Sequence, residues 1–184
     1  MGALQGYIGG FFDLSLQRLI EIFSALPFLY IVIIIGSSIG TSFITLLIIF
    51  TVFEWVGISY YIRAEFLKLR ETQYVEAAKA LGVKDWKIMF RHMLPNALTP
   101  VITFLPFDLI GAITALSALD FLGFGLPAPT PSWGELMHQG MDNIFSYWLS
   151  LYPVLALFGV LLLIAFVGEG IRDAFDPREF NRME

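Results

Sequence analysis

Few side chains in this chain are placed to do chemistry. Glu54 and Asp108 are carboxylates inside long apolar runs, and Asp120 and Glu169 stand at the edges of others. A carboxylate in a lipid-like environment is expensive, so it normally faces a cavity, a partner or a hydrogen bond between helices. Glu54 and Asp108 are candidates for a translocation path, where a carboxylate meets a cationic solute such as a peptide amino group; a structural bond between helices is the other reading. Asp120 is expected to end an apolar run and cap the loop after it, and Glu169 to sit at a solvated helix end. His92 and His138 stand alone, without metal-ligand spacing, and read as surface or interface residues. The absence of cysteine removes disulfides and thiolate metal sites. No GxxxxGK[ST] phosphate loop occurs, so the chain is not expected to bind ATP itself. An intramembrane aspartyl protease would need a Gly-x-Gly-Asp site, and "SALDFLGFG" is not one. The chemistry left is recognition and movement, not bond breaking.

The elements that would position these residues are membrane helices. Of 184 residues 57% are hydrophobic and only 15% charged, too few polar groups to cover a soluble globule. A membrane helix needs about 20 mostly apolar residues. Four stretches meet that length: 19–37, 43–62, 98–119 and 148–167. Pro27 and Pro106 fall inside two of them and are expected to bend the helix. Arg18 precedes the first stretch; Arg63, Lys68, Arg70, Lys79, Lys84, Lys87 and Arg91 lie between the second and third; Arg172, Arg178 and Arg182 follow the fourth. Those are all 11 basic residues, and they fall on one side of the alternating connections. The positive-inside rule makes that side the cytoplasm. The loop 63–96 and the tail 168–184 are then cytoplasmic, and the loop 120–147 faces outward. The outer loop is rich in proline and glycine, with Trp133, Tyr147 and Trp148 suited to the membrane interface. A short flat helix is expected from Trp133 to about Ile144. This loop reads either as a surface for an external protein or as a plain lid. At the start, glycines at 2, 6 and 10 have small-xxx-small spacing, but a flexible leader is the expectation there. No internal repeat relates residues 1–90 to 91–184, which argues against a secondary transporter.

The inner loop carries the most information. "YVEAAKALGVKDWKIMFRHMLPN" reads as a short helix from Thr72 to Leu81, a stop at Gly82 in the left-handed conformation, and a second helix from about Asp85 to Leu94. Ala77, Ala78 and Ala80 keep the first helix thin. Trp86, Met89, Phe90 and Met93 share one face of the second at i, i+3, i+4, i+7 spacing. A thin helix, a sharp turn and an aromatic knob suit a groove on a partner protein. The alternative is an apolar face resting on the membrane interface.

The stretch "EAAKALGVKDWKIMFRHMLP" resembles the EAA loop of ABC-importer membrane subunits. Glu76, Ala77, Ala78, Gly82, Leu94 and Pro95 match that pattern, and His92 stands where isoleucine is frequent in the broad family and histidine in its peptide-importer branch. "RHMLPNALTPV", "LDFLGFGLPAPTPSWGELM" and "GEGIRDAFDPRE" resemble, in order and spacing, the second permease subunit of dipeptide, oligopeptide and nickel importers, leaning toward the oligopeptide and microcin C-type branch. The resemblance covers nearly the whole chain. It implies an all-α integral membrane protein, the C-terminal part of a six-helix type I ABC importer permease fold, lacking the first two helices. It implies a multi-pass protein of the bacterial inner membrane. Its partners would be ABC ATPase subunits, a second homologous permease subunit, an extracytoplasmic solute-binding protein and the lipid bilayer, with no nucleic acid. ATP would be bound by the ATPase subunits and no cofactor by this chain. Glu76, Ala77, Ala78, Gly82, Trp86, Met89, Phe90, Leu94 and Pro95 would form the contact that couples hydrolysis to transport. A non-transporting or regulatory permease fragment is the alternative.

Overall fold

The computed structural model describes residues 1–127 and 129–175, so residues 176–184 of the expected tail, with Arg178 and Arg182, lie outside the described residues. The described residues form helices and connecting turns, without strands. In chain order the helices are α1 (Gly2–Ile8), α2 (Gly10–Ser24), α3 (Phe28–Ile39), α4 (Phe43–Leu69), α5 (Gln73–Ala80), α6 (Asp85–Lys87), a π-helical turn (Ile88–Met93), α7 (Leu94–Phe121), α8 (Trp133–Asp142) and α9 (Trp148–Phe175).

Three helices are long and apolar enough to cross a membrane: Phe43–Leu69, Asp85–Phe121 and Trp148–Phe175, or four if the broken pair α2 and α3 counts as one. The first expected span, 19–37, is thus not one helix. Pro27 has extended backbone geometry and cannot donate the hydrogen bond a helix needs there, so α2 ends at Ser24 and α3 begins at Phe28. Pro106, by contrast, is absorbed within α7. Only 22%, 11% and 11% of the three apolar windows are buried inside the chain. Surfaces of that size and character must be covered by lipid or by other protein.

The chain divides into two compact units, one of Met1–Leu26 with Phe53–Thr103, the other of Pro27–Val52 with the chain from Phe104 on. The first is built around Ile62, Phe66, Val75, Ile88, Met89, Met93 and Ala97, with Ala3 and Tyr7 of α1 packed against them. The glycine-rich opening is not a flexible leader. Gly2 and Gly6 are buried, and a Cβ at either would collide with α4, at the Ser59 carbonyl and at the Phe66 Cβ respectively. Small residues four apart let the two backbones approach, the packing role of this spacing. Gly10 takes no part; the space beside it is open. The helix α2 runs antiparallel along the same helix α4. Arg63 grips Asp13 with two hydrogen bonds of 2.6 and 2.5 Å, and Phe23 meets the Phe53 ring at 5.0 Å.

In the second unit the Phe28 and Phe50 rings meet edge to face. Gly168 of α9 lies against Pro106 and Phe107 of α7. The chain stops α7 with a glycine device: Gly123 has φ +79°, its N–H bonds to the Asp120 carbonyl, and the Phe124 N–H bonds to that of Leu119. Asp120 is buried, and its carboxylate accepts the Leu126 N–H at 2.8 Å, so it caps the loop it ends. The short helix α8 is capped by Ser132, whose hydroxyl accepts the Glu135 N–H. His138 is held by the Phe121 carbonyl at 2.9 Å and by the edge of the Phe121 ring.

Candidate coupling site

The helix α5 forms because Gln73–Ala80 contains no breaker and buries one side. Val75 is fully buried and Ala78 packs on the same core, while Glu76 and Ala77 face outward. The turn after it is a Schellman stop. The Gly82 N–H bonds to the Lys79 carbonyl at 2.9 Å and the Val83 N–H to the Ala78 carbonyl at 3.1 Å. Gly82 carries φ +73°, which a side chain with a Cβ resists by about 1 kcal/mol or more. Val83 and Ala78, the two residues such a motif brings together, both rest on the core.

From Asp85 the chain is helical without a break for 37 residues, through α6, the π turn and α7. The second knuckle helix therefore does not end at Leu94; it is the start of a membrane helix. Pro95 lies just beyond the widened π turn, and the Asn96 side chain donates to the His92 carbonyl at 2.9 Å. A π turn is rare; it occurs mostly as a single widened turn inside an α-helix, frequently at functional positions.

The expected single apolar face divides in two. Met89 and Met93 are 7% and 0% exposed and belong to the core, together with Ile88. Trp86 and Phe90 are 57% and 62% exposed. Full burial of Ile88 draws the inward face toward one side of the helix, and i→i+5 bonding in the π turn spreads neighbouring positions around a wider circumference. Leu81, at the tip of the turn, is 83% exposed. Three large apolar side chains thus stand outward on a solid base. Leu94 is half-buried and rests on the core, and Pro95 is exposed.

Charge surrounds these knobs. Lys87 lies 5.7 Å from the Trp86 ring centre. Among the described residues Glu76 makes no ion pair; the ion pairs of this unit are Arg18–Glu21, Arg63–Asp13, Lys68–Glu65 and Arg70–Glu71. Lys79, three residues along, instead lies over the Tyr7 ring, 5.3 Å from its centre. The Tyr7 hydroxyl donates to Asp85 Oδ1 at 2.6 Å. Burial, with the Asp85 carboxylate beside it, pushes the Tyr7 phenol up to about 12, so the phenol keeps its proton at physiological pH. Sequence reasoning missed Tyr7, Asp13 and Arg63, whose partners lie 50 or more positions away.

The two carboxylates proposed for a path belong to different units. Glu54 is exposed on the first, and Asp108 is half-buried in the second. The described residues offer neither an ion pair.

These features define a helical membrane protein in which a short helix, a glycine turn and the root of a long helix form one firm, outward-facing knuckle. The chain belongs to the family of binding-protein-dependent transport system inner membrane components, which it matches over residues 1–181. It is 53% identical over 181 residues to a peptidoglycan transport system permease protein of Agrobacterium fabrum, covering 98% of this chain and 48% of that one. It is 49% identical over 178 residues to an inner membrane ABC transporter permease protein of Escherichia coli, with coverages of 97% and 52%. To an oligopeptide transport system permease protein of Haemophilus influenzae it is 35% identical over 179 residues, with coverages of 97% and 58%. The chain spans about half the length of the curated relatives it matches.

Proposed function

We propose that this chain is permease sequence of an ATP-driven importer for peptides or peptide-like solutes, and that the knuckle in 63–96 seats in a groove on an ABC ATPase subunit. A second homologous permease subunit completes the pathway, and an extracytoplasmic solute-binding protein delivers the solute. The knuckle and the chain after α9 face the cytoplasm. ATP is bound by the ATPase subunits; their closure pushes on the knuckle and tilts the helix that begins in it. Glu54 and Asp108 contribute negative charge to the solute path. Asp108→Asn then impairs uptake of cationic peptides more than neutral ones at equal expression; an equal loss for both returns Asp108 to a structural role.

The observation that carries this reading is the division of the knuckle's apolar residues. Met89 and Met93 are consumed by the chain's own core, while Leu81, Trp86 and Phe90 stand apart among charges. A helix resting on lipid presents a continuous apolar stripe. Isolated large knobs on a rigid base are what a pocket in a partner protein accepts. The test is retention of the ATPase subunit by the detergent-solubilised chain. Losing one large interface side chain typically costs about 2 kcal/mol, roughly thirtyfold in affinity. Phe90→Ala and Gly82→Val are expected to insert normally in the membrane and lose the ATPase. Glu76→Lys is expected to do the same, because Glu76 has no ion pair within its own unit and its charge is available to a basic residue on the ATPase. Full retention by all three variants would overturn the coupling role.

A further inference from the structure

We infer that Tyr7 is a positioning residue that clamps the Gly82 turn from both sides and ties it to α4. Lys79 is the third residue before Gly82 and Asp85 the third after it. Tyr7 holds both: the ring lies under the Lys79 ammonium and the hydroxyl donates to the Asp85 carboxylate. Each contact involves a full charge, which strengthens it over a neutral one. The clamp has a firm base. Its neighbour Gly6 is packed so closely on α4 that a Cβ would reach the Phe66 Cβ and the Arg63 carbonyl. Tyr7 itself rests on the core that also holds Ala78 and Val83, the two ends of the Schellman bond.

The Gly82 turn is fixed locally by its own two hydrogen bonds and by Ala78 and Val83 resting on the core. The clamp adds a third point from a distant part of the sequence. It sets the angle between α5 and the long helix starting at Asp85. On the coupling reading, a push on Trp86 or Phe90 then reaches α4 through Tyr7 and α1 as well as travelling along the helix it strikes. That consequence rests on the proposed function; the clamp does not.

The test is limited trypsin cleavage of the full chain in lipid nanodiscs at Lys79 and Lys84, which bracket the turn. Arg18 serves as the internal control. Tyr7→Phe keeps the ring under Lys79 and removes only the hydroxyl. It is expected to speed cleavage at Lys84 about tenfold, the loss of one hydrogen bond to a charged group, and to leave Arg18 unchanged. Asp85→Leu removes the same bond from the other end and, because it changes the residue that follows Lys84, is compared with Tyr7→Phe and the double variant at Lys79. The double variant is therefore expected to cleave no faster than either single one. Additive effects, no effect of Tyr7→Phe, or equal acceleration at Arg18 would overturn the clamp. If the clamp passes and wild type fails to retain an ATPase subunit, the coupling reading alone falls.

Discussion

At the residue scale the knuckle holds two kinds of large apolar side chain three positions apart. Met93 is fully buried and Phe90 stands in the open. Truncating a buried methionine to alanine typically costs about 2–5 kcal/mol of stability, whereas an exposed side chain costs little unless a partner uses it. Met93→Ala should therefore lower the thermal midpoint of the chain in detergent, and Phe90→Ala should leave it unchanged. The reverse ranking, read by a melting assay on both variants, would mean that the outward residue is the structural one. Helical spacing placed Trp86, Met89, Phe90 and Met93 on one face because a regular 3.6-residue period was assumed. The period fails at Ile88–Met93, where the helix widens into a π turn. Nothing in the local composition announces that turn except Pro95 just beyond it. Gly82 was readable because only a backbone demand for positive φ explains a glycine between a thin helix and a charged helix start.

At the element scale the long helices α4, α7 and α9 follow from apolar run length, and α8 was expected from Trp133 on, while its Ser132 cap emerged only from the structure. The helix α1 was not legible. Its seven residues are too few for a helix to be recognised by itself, and its two glycines suit a flexible segment equally well. What makes it a helix is tertiary: close approach to α4 at Gly2 and Gly6. The break at Pro27 was expected as a bend; it is an end and a new start, because three residues, Ala25 to Pro27, leave the helix. The docking of α1 gives a direct prediction. Gly6→Leu cannot be accommodated against the Arg63 carbonyl, so α1 should leave α4. The chain has no cysteine, so Ala3→Cys reports alone. Maleimide should modify it slowly in the wild-type background and at least tenfold faster with Gly6→Leu. Equal rates would mean that α1 is not held by this contact. The pair Asp13–Arg63 serves the same assembly from α2. Asp13 is buried and Arg63 partly exposed, so removing either partner should loosen α2 from α4.

At the scale of the whole molecule, the basic residues on one side of the alternating connections are what the proposed topology rests on. With Ser132→Cys the chain should react with an impermeant thiol reagent in spheroplasts, and with Lys84→Cys it should not; the opposite pattern would invert the protein. Most of the apolar helix surface is left uncovered by the chain itself, consistent with a protein that works among lipid and other subunits. The family was legible from four ordered sequence blocks, whereas Glu54 and Asp108, proposed for a path, fall in different units and are not brought into one site. The coupling role requires the outward knobs to touch an ATPase subunit. A photo-crosslinking amino acid placed at Phe90, in cells expressing the importer's other subunits, tests this most directly. The account predicts an ATPase adduct from position 90, and none from the fully buried position Val75 on the neighbouring helix. Capture of lipid alone from position 90, or equal ATPase adducts from both positions, would contradict it.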